Sequence, residues 1–239
     1  MSARTWVILG ATSIIAEEFA RCAAQSGHDL LLVGRNQLQL NIIAADIRLR
    51  FSVHCGTMMV DFSEDIQLFL QTLRTQSREL DLFIAYSDMS NNIHLTEQSL
   101  TELLTINVIR TSQLIHAYWN KPQSQHRLVF LSSVAACRGR SKNSLYGASK
   151  AAIEVYLQGL QQAASKTQHI TIARLGFIDT HATFGEPGIF YASPPNECAQ
   201  ACWKAANRKK RAFYHPFFWR YIMRVIRHLP HVMYEKMRV

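Results

Sequence analysis

Tyr146 and Lys150 stand four residues apart in Tyr146-Gly147-Ala148-Ser149-Lys150, at the start of a helical pattern. Residues at that spacing project from one helix face. A phenol that titrates near ~10 is a poor acid/base at neutral pH. An ammonium beside it favours the phenolate and brings its proton into the working range. The pair therefore predicts proton transfer at an oxygen of a bound molecule, with Tyr146 as the acid/base. Lys150 would tune it and also reach a ribose hydroxyl. Thirteen residues before Tyr146, at the end of an apolar run, Ser133 offers a hydroxyl to hold the substrate oxygen beside the phenol. Asn107 follows the apolar stretch Leu103-Leu104-Thr105-Ile106. A buried amide there needs partners, and Asn107 is expected to anchor a proton-relay water near Lys150.

A second set of residues points to a nucleotide. Gly10-Ala11-Thr12-Ser13-Ile14-Ile15-Ala16 joins a strand pattern to a helix pattern. Such a turn, here through Gly10, Thr12, Ser13, Ile14 and Ile15, aims helix N–H groups and the positive end of the helix dipole at a pyrophosphate. Gly10 suits the tight bend and Ala16 the close helix–strand packing, whereas Ile14 stands where a second glycine usually admits the phosphate. Past the second strand come Gly34-Arg35-Asn36, without an acid. A carboxylate there would repel a 2′-phosphate, so a guanidinium in its place favours NADP(H) over NAD. Asp61 ends the third strand, where it either accepts from the adenine amine or caps the next segment.

The elements that must position these residues alternate along the chain. Apolar strands are expected at Thr5–Leu9, Leu30–Val33, within Ser52–Val60, and at Leu82–Tyr86, Leu128–Leu131, Ile170–Arg174 and Ala212–Tyr214. Helical patterns run over about Ile14–Ser26, Gln37–Arg50, Glu64–Gln76, Ser99–Asn120, Ser144–Ser165 and Asn196–Ala206. Short apolar strands between amphipathic helices call for a parallel sheet covered on both faces. With right-handed crossovers this is an α/β, doubly wound (Rossmann-like) single domain. Phe177–Pro195 breaks the rhythm and reads as a loop or lid over the site.

At 239 residues the chain has room for one well-buried domain. Its net charge of +9 is unevenly placed: Lys204–Val239 holds ten Lys/Arg against one acid, Glu235, so the preceding 203 residues are balanced. Domain organisation is accordingly read as 1–214 for the nucleotide-binding domain and 215–239 for a basic amphipathic C-terminal extension. Within it Arg220, Arg224 and Arg227 form a basic stripe, while Phe218, Tyr221, Ile222, Val225, Ile226 and Leu229 form an apolar face. Phe217–Leu229 then either lies on an anionic membrane surface or packs as an ordinary terminal helix. Nucleic acid is not expected as a partner, since the bases are confined to one end with no reading motif. The five cysteines lack metal-ligand spacing and read as reduced thiols, so no metal is expected. Met1–Leu9 has no signal-peptide pattern and no run approaches a membrane span, which places the chain in the cytoplasm, or on the inner face of a membrane if the tail docks there.

Taken together, the Tyr146/Lys150 pair, Ser133, Asn107 and the Gly10 turn resemble the short-chain dehydrogenase/reductase family over essentially Thr5 to Tyr214. The resemblance implies an NADP(H)-dependent oxidoreductase interconverting a ketone and a secondary alcohol, with Asn107, Ser133, Tyr146 and Lys150 catalytic. It implies cofactor contacts from the Gly10–Ala16 turn, Arg35, Asp61, Tyr146 and Lys150. Arg174-Leu175-Gly176-Phe177-Ile178-Asp179-Thr180 is similar to the family's Pro-Gly stretch, in which Ile178 and Thr180 would meet the nicotinamide carboxamide. It further implies a small-molecule carbonyl substrate and a homo-oligomer paired through the fourth and fifth helices. Three departures stand out: Ile14 and Ala16 replace glycines, Ala85-Tyr86-Ser87-Asp88 replaces Asn-Asn-Ala-Gly, and Leu175 replaces a proline. The Gly-Ala-Thr-Ser turn and the tail also resemble a subgroup of keto-reducing subunits of decaprenylphosphoryl-ribose epimerases, which implies an amphipathic or lipid-linked substrate. On the same residues, an epimerase working through a keto intermediate and a non-catalytic nucleotide-sensing module are the alternatives.

Overall fold

A computed structural model describes residues 4–180, 183 and 189–237. Seven parallel strands form one sheet: β1 Thr5–Leu9, β2 Asp29–Gly34, β3 Cys55–Met59, β4 Leu80–Ile84, β5 His126–Ser133, β6 Gln168–Leu175 and β7 Ala212–His215. Their order is β3-β2-β1-β4-β5-β6-β7, so the chain reverses its winding direction between β1 and β4. Ligands of doubly wound sheets bind at that switch, beyond the carboxyl ends of the strands.

Both faces of the sheet are covered, as the unbroken apolar strands require. Every residue of β1 and β4 is buried. Helices α1 Ile14–Gln25, α2 Gln37–Phe51 and α7 Pro195–Asn207 close one face around Trp6, Phe19 and Phe83. Helices α3 Gln67–Thr75, α5 Thr111–Trp119 and α6 Ser144–Ala163 close the other around Phe69, Tyr118 and Phe130. Asp81 is the fully buried acid within β4; Arg4 (2.6 Å) and Arg127 (2.8 Å) neutralise it at the end of the sheet away from the switch. A buried carboxylate is tolerated only with such partners.

Beyond shifts of one or two residues at strand and helix ends, four differences from the sequence reading stand out. β4 ends at Ile84, so Ala85 and Tyr86 leave the strand early. The third helix starts at Gln67 rather than Glu64, because Asp61 accepts from the backbone N–H (2.9 Å) and hydroxyl (2.7 Å) of Ser63 and holds a turn there. The expected Ser99–Asn120 helix is α4 Glu97–Leu104 and α5 joined by a wide π-helical turn, Thr105–Arg110, with Asn107 inside it. The basic tail is two helices, α8 Trp219–His228 and α9 His231–Glu235, broken at Pro230. Among the described residues, no helix is long and apolar enough to cross a membrane.

Candidate active site

Three elements, β5, α6 and the π turn, bring the predicted proton-transfer residues to the carboxyl edge of the sheet. β5 delivers Ser133 at its last position, and α6 presents Tyr146 and Lys150 from its first two turns. Gly147 lets α6 approach that edge: a Cβ there would lie 2.6 Å from the Ala135 carbonyl oxygen. The Tyr146 side chain is buried, and Ser133 and Ser87 bring their hydroxyls to its phenol. Burial pushes the phenol above its usual value, while those hydroxyls and the charge of Arg140 pull it back. Ser87 was not foreseen as a site residue. It follows β4 in the stretch that departs from the family pattern, and only the three-dimensional arrangement shows it at Tyr146.

Lys150 is placed differently from the simple expectation. Its Nζ donates to the Leu131 carbonyl oxygen (2.8 Å) and lies 5.8 Å from the Tyr146 ring centroid, with the Phe130 ring at 4.8 Å. Burial lowers its pKa to about 7, even though Glu154 one turn further along pulls it up. The Glu154 carboxylate is already committed. Arg174 donates to it through two nitrogens (2.8 and 2.7 Å) and Ser132 through its hydroxyl (2.5 Å). Arg140 is a charge that pulls the Tyr146 phenol down, and the Lys150 ammonium lies 5.8 Å from the same ring.

Asn107 is buried with its amide fully engaged. Its oxygen accepts from the Asp88 N–H (2.8 Å); its nitrogen donates to the Asp88 carbonyl (2.8 Å) and to the Ser149 hydroxyl (3.0 Å). The π turn supplies this geometry, since an inserted residue widens the helix and redirects a side chain. Asn107 therefore ties the segment after β4 to the helix that carries Tyr146. The Asp88 carboxylate accepts from the N–H (2.8 Å) and hydroxyl (2.6 Å) of Ser90, so its charge is held within its own turn.

The nucleotide-side residues cluster at the winding switch. Gly10 has φ of 75°, and a Cβ on it would meet the Tyr86 backbone nitrogen at 2.7 Å, so glycine is required twice over. Ser13 caps α1 without a side-chain hydrogen bond, leaving the first-turn N–H groups unmet by its hydroxyl. Thr12 and Ser13 are half-buried, Ile15 is buried and Ile14 is exposed at the helix start, so Ile14 flanks the turn rather than filling it. Arg35 is exposed just beyond β2 and makes no ion pair among the described residues. Burial works against the charge of Asp61, but the Ser63 hydrogen bonds and nearby Arg35 hold its carboxyl below the usual range. These donors fit a dinucleotide: an open helix N-terminus for a pyrophosphate and an unpaired guanidinium for a 2′-phosphate. On the far side, Ile178 is buried and bridged to Ser193, and the Thr180 N–H donates to Thr183 (3.1 Å). Of the proposed lid, residues 181, 182 and 184–188 lie outside the described residues.

The tail packs against the segment that follows Ser133. Trp219 and Met223 pack with Val134, Cys137 and Phe177, and Trp219 sits where a Cβ on Gly176 would be. Phe190, Tyr191 and Phe218 extend this packing as an aromatic cluster.

Comparison with known proteins agrees with this geometry. The family model for short chain dehydrogenase matches residues 4–185. An uncharacterised oxidoreductase of Staphylococcus epidermidis is 28% identical over 186 residues, covering 75% of this chain and 80% of that protein. The human inactive hydroxysteroid dehydrogenase-like protein 1 is 25% identical over 174 residues, covering 67% of this chain and 51% of that protein. Among solved structures, a short-chain dehydrogenase from Sphingobium yanoikuyae in complex with NADPH superposes with a TM-score of 0.80 at 22% identity, over 89% of this chain and 88% of that one.

Proposed function

This chain belongs to the short chain dehydrogenase family, and from that premise we propose that it is an NADP(H)-dependent oxidoreductase interconverting a ketone and a secondary alcohol. The observation that carries the reading is the buried Tyr146 phenol met by the hydroxyls of Ser133 and Ser87 at the carboxyl edge of the sheet. The NADPH complex of the structurally similar Sphingobium protein supports the cofactor, as do the α1 N-terminus and Arg35. One of the relatives is an inactive protein; here the complete set of Asn107, Ser133, Tyr146 and Lys150 supports catalysis.

When bound, the dinucleotide exchanges a hydride with the carbonyl carbon. In the reducing direction Tyr146 gives its proton to the carbonyl oxygen, which Ser133 orients. Ser87 is a second hydroxyl to steady the phenolate that remains. Lys150 orders the ribose side from the floor of the site, and Asn107 fixes the distance between Asp88 and α6. The Gly10–Ile15 turn would hold the pyrophosphate and Arg35 the 2′-phosphate, with Asp61 toward the adenine and Ile178 and Thr180 toward the nicotinamide. On this reading 1–214 is the nucleotide-binding domain and 215–239 a basic extension, a division supported by Trp219 and Met223 packing against Val134 and Phe177.

An amphipathic substrate is supported by the aromatic wall of Phe177, Phe190, Tyr191, Phe218 and Trp219. Peripheral contact with an anionic membrane is supported by Phe217, Tyr221 and Val225, exposed at 75%, 62% and 63% beside the exposed Arg220, Arg224 and Arg227. Exposed Leu100, Ile109 and Val155 on the α4–α6 surface support a homo-oligomer.

The test is titration with NADPH and NADH by nicotinamide fluorescence, followed by turnover of a ketone panel. NADPH should bind more tightly than NADH. Tyr146→Phe should keep NADPH binding while turnover falls roughly a thousandfold. Wild-type turnover in Tyr146→Phe overturns the mechanism, and failure to bind either dinucleotide overturns the function.

A further inference from the structure

The last residues of β5, β6 and β7 form one row across the carboxyl edge of the sheet: Ser133 is in register with Leu175, and Leu175 with His215. Adjacent strands lie about 5 Å apart, which sets His215 roughly 10 Å from Ser133 along that row. Beyond the row the chain leaves β6 as Gly176-Phe177-Ile178-Asp179-Thr180. The Gly176 N–H donates to the His215 carbonyl oxygen (2.9 Å), so the first step off the sheet is still tied to β7.

Ser193 fastens the next step. Its N–H donates to the Phe177 carbonyl oxygen (3.0 Å), and its own carbonyl oxygen accepts from the Asp179 N–H (2.9 Å). The two bonds form a parallel bridge that flanks Ile178 on both sides. The Ser193 hydroxyl shares a 2.9 Å hydrogen bond with His215 Nε2. Ser193 is only 1% exposed and Ile178 4%. A hydroxyl withdrawn that far from water requires a partner, and the imidazole supplies it. Among the described residues, the other side-chain hydrogen bonds of this stretch tie Thr183 to the backbone of Ile178 and Thr180 and stay within it. The Ser193–His215 bond is thus the side-chain link between the bridge around Ile178 and the row that contains Ser133.

We propose that Ser193 and His215 are a positioning pair whose hydrogen bond fixes Ile178 and Thr180 against the Ser133 row, and so sets where the nicotinamide half of the dinucleotide lies relative to Tyr146. This deepens the oxidoreductase reading and rests on it, since that reading puts Ile178 and Thr180 toward the nicotinamide. The pair acts through the bridge rather than on the reacting atoms. Its reach is also limited: β1 and β2, which lead into the Gly10 turn and Arg35, stand four and five strands away from β7. Loss of the pair therefore spares the adenosine half.

The experiment titrates the full-length protein with NADPH, by nicotinamide fluorescence, and with 2′,5′-ADP, by calorimetry; the second probe carries the adenosine half alone. Ser193→Ala and His215→Phe each remove one side of the bond, and His215→Gln returns an amide to the region of Nε2. Ser193→Ala and His215→Phe should each weaken NADPH roughly tenfold and leave 2′,5′-ADP within about twofold of wild type. Turnover of a ketone at saturating NADPH should fall roughly thirtyfold with little change in the ketone KM, because a misplaced hydride donor costs rate rather than ketone binding. His215→Gln should recover most of both losses, and the double variant Ser193→Ala/His215→Phe should lose no more than either single one. Unchanged NADPH binding and turnover in a folded Ser193→Ala protein overturns the proposal. So do equal losses for NADPH and 2′,5′-ADP, which are general damage, and losses that add in the double variant. Should Ser193→Ala not fold, His215→Phe set against His215→Gln makes the same comparison, and equal behaviour of those two overturns the proposal. Failure of the parent reading looks different: wild type then binds neither probe, and the proposal falls with it, whereas failure of the positioning pair alone leaves wild type binding both.

Discussion

Lys150 is held in the interior against its own charge, and that cost is measurable. Its pKa falls from 10.5 to about 7, chiefly through burial, and Glu154 cannot rescue it because Arg174 and Ser132 already occupy the carboxylate. At about 1.4 kcal/mol per pKa unit, the drop corresponds to about 5 kcal/mol of stability forgone while Lys150 is protonated in both states. The folded value lies below the unfolded one. Between about 7 and 10.5 the unfolded chain therefore holds the extra proton, and stability rises with pH through that window. Replacing Lys150 by Met removes the ammonium and leaves Glu154 with its other partners. At pH 6 the variant should be more stable than wild type by up to about 5 kcal/mol, and at pH 9 by only about 2. Urea denaturation of cofactor-free protein at the two pH values reads the difference directly. Turnover should be lost in the same variant, as expected of a site that trades stability for function. A gap that stays constant between pH 6 and pH 9, or a variant less stable than wild type at pH 6, would refute the claim that desolvation of Lys150 governs its position.

The tail yields two further tests. Gly176→Ala places a Cβ 1.9 Å from Trp219 Nε1, so Trp219 must be displaced; we expect a loss of roughly 1–3 kcal/mol and a red-shifted tryptophan emission, whereas an unchanged urea midpoint would mean the wall is not packed as described. Flotation with phosphatidylglycerol vesicles should exceed that with neutral vesicles and fall roughly tenfold or more when Arg220 and Arg224 are both changed to Glu; flotation indifferent to lipid charge or to these changes would remove the membrane reading.

Much of this architecture was legible because the relevant signals are local. Short unbroken apolar runs and period-3.6 hydrophobicity locate seven strands and their helices within a few residues, and the Tyr146–Lys150 spacing is itself a geometric statement. What escaped depends on contacts between distant segments. Thr105–Arg110 has an ordinary helical composition, and nothing in it announces the π turn from which Asn107 reaches Asp88 and Ser149. Ser87 and Arg140 carry no motif and acquire meaning only when β4, β5 and α6 place them at Tyr146. Helical spacing puts Tyr146 and Lys150 on one face, but it says nothing of the Leu131 carbonyl to which the ammonium donates. The tail divides a face that its sequence presents as continuous: Ile222 and Ile226 pack toward Trp219 and Met223, while Tyr221 and Val225 stay in solvent.

The departures from the family pattern read differently once their neighbours are known. Tyr86, in the stretch that replaces Asn-Asn-Ala-Gly, stacks on Phe62 with ring centroids 3.8 Å apart and planes within 4°. Its hydroxyl shares a 2.9 Å hydrogen bond with Thr111, whose own hydroxyl donates to the Ile106 carbonyl oxygen at 3.0 Å. Ile106 lies in the π turn and Thr111 directly follows it, so Tyr86 braces the widened backbone from which Asn107 projects. Two residues on, Asp88 contributes its backbone rather than its charge, and a main-chain N–H and carbonyl are available whatever the side chain. Gly10, by contrast, is required by the positive φ and by the approach of Tyr86 itself. The altered stretch and the retained glycine are therefore one adaptation. An aromatic has been packed into the floor at the winding switch, and the groups that hold Asn107 and Tyr146 are preserved through the backbone. These hydrogen bonds are satisfied together, and the set of Asn107, Ser133, Tyr146 and Lys150 is complete, which favours the catalytic reading over a nucleotide-sensing remnant.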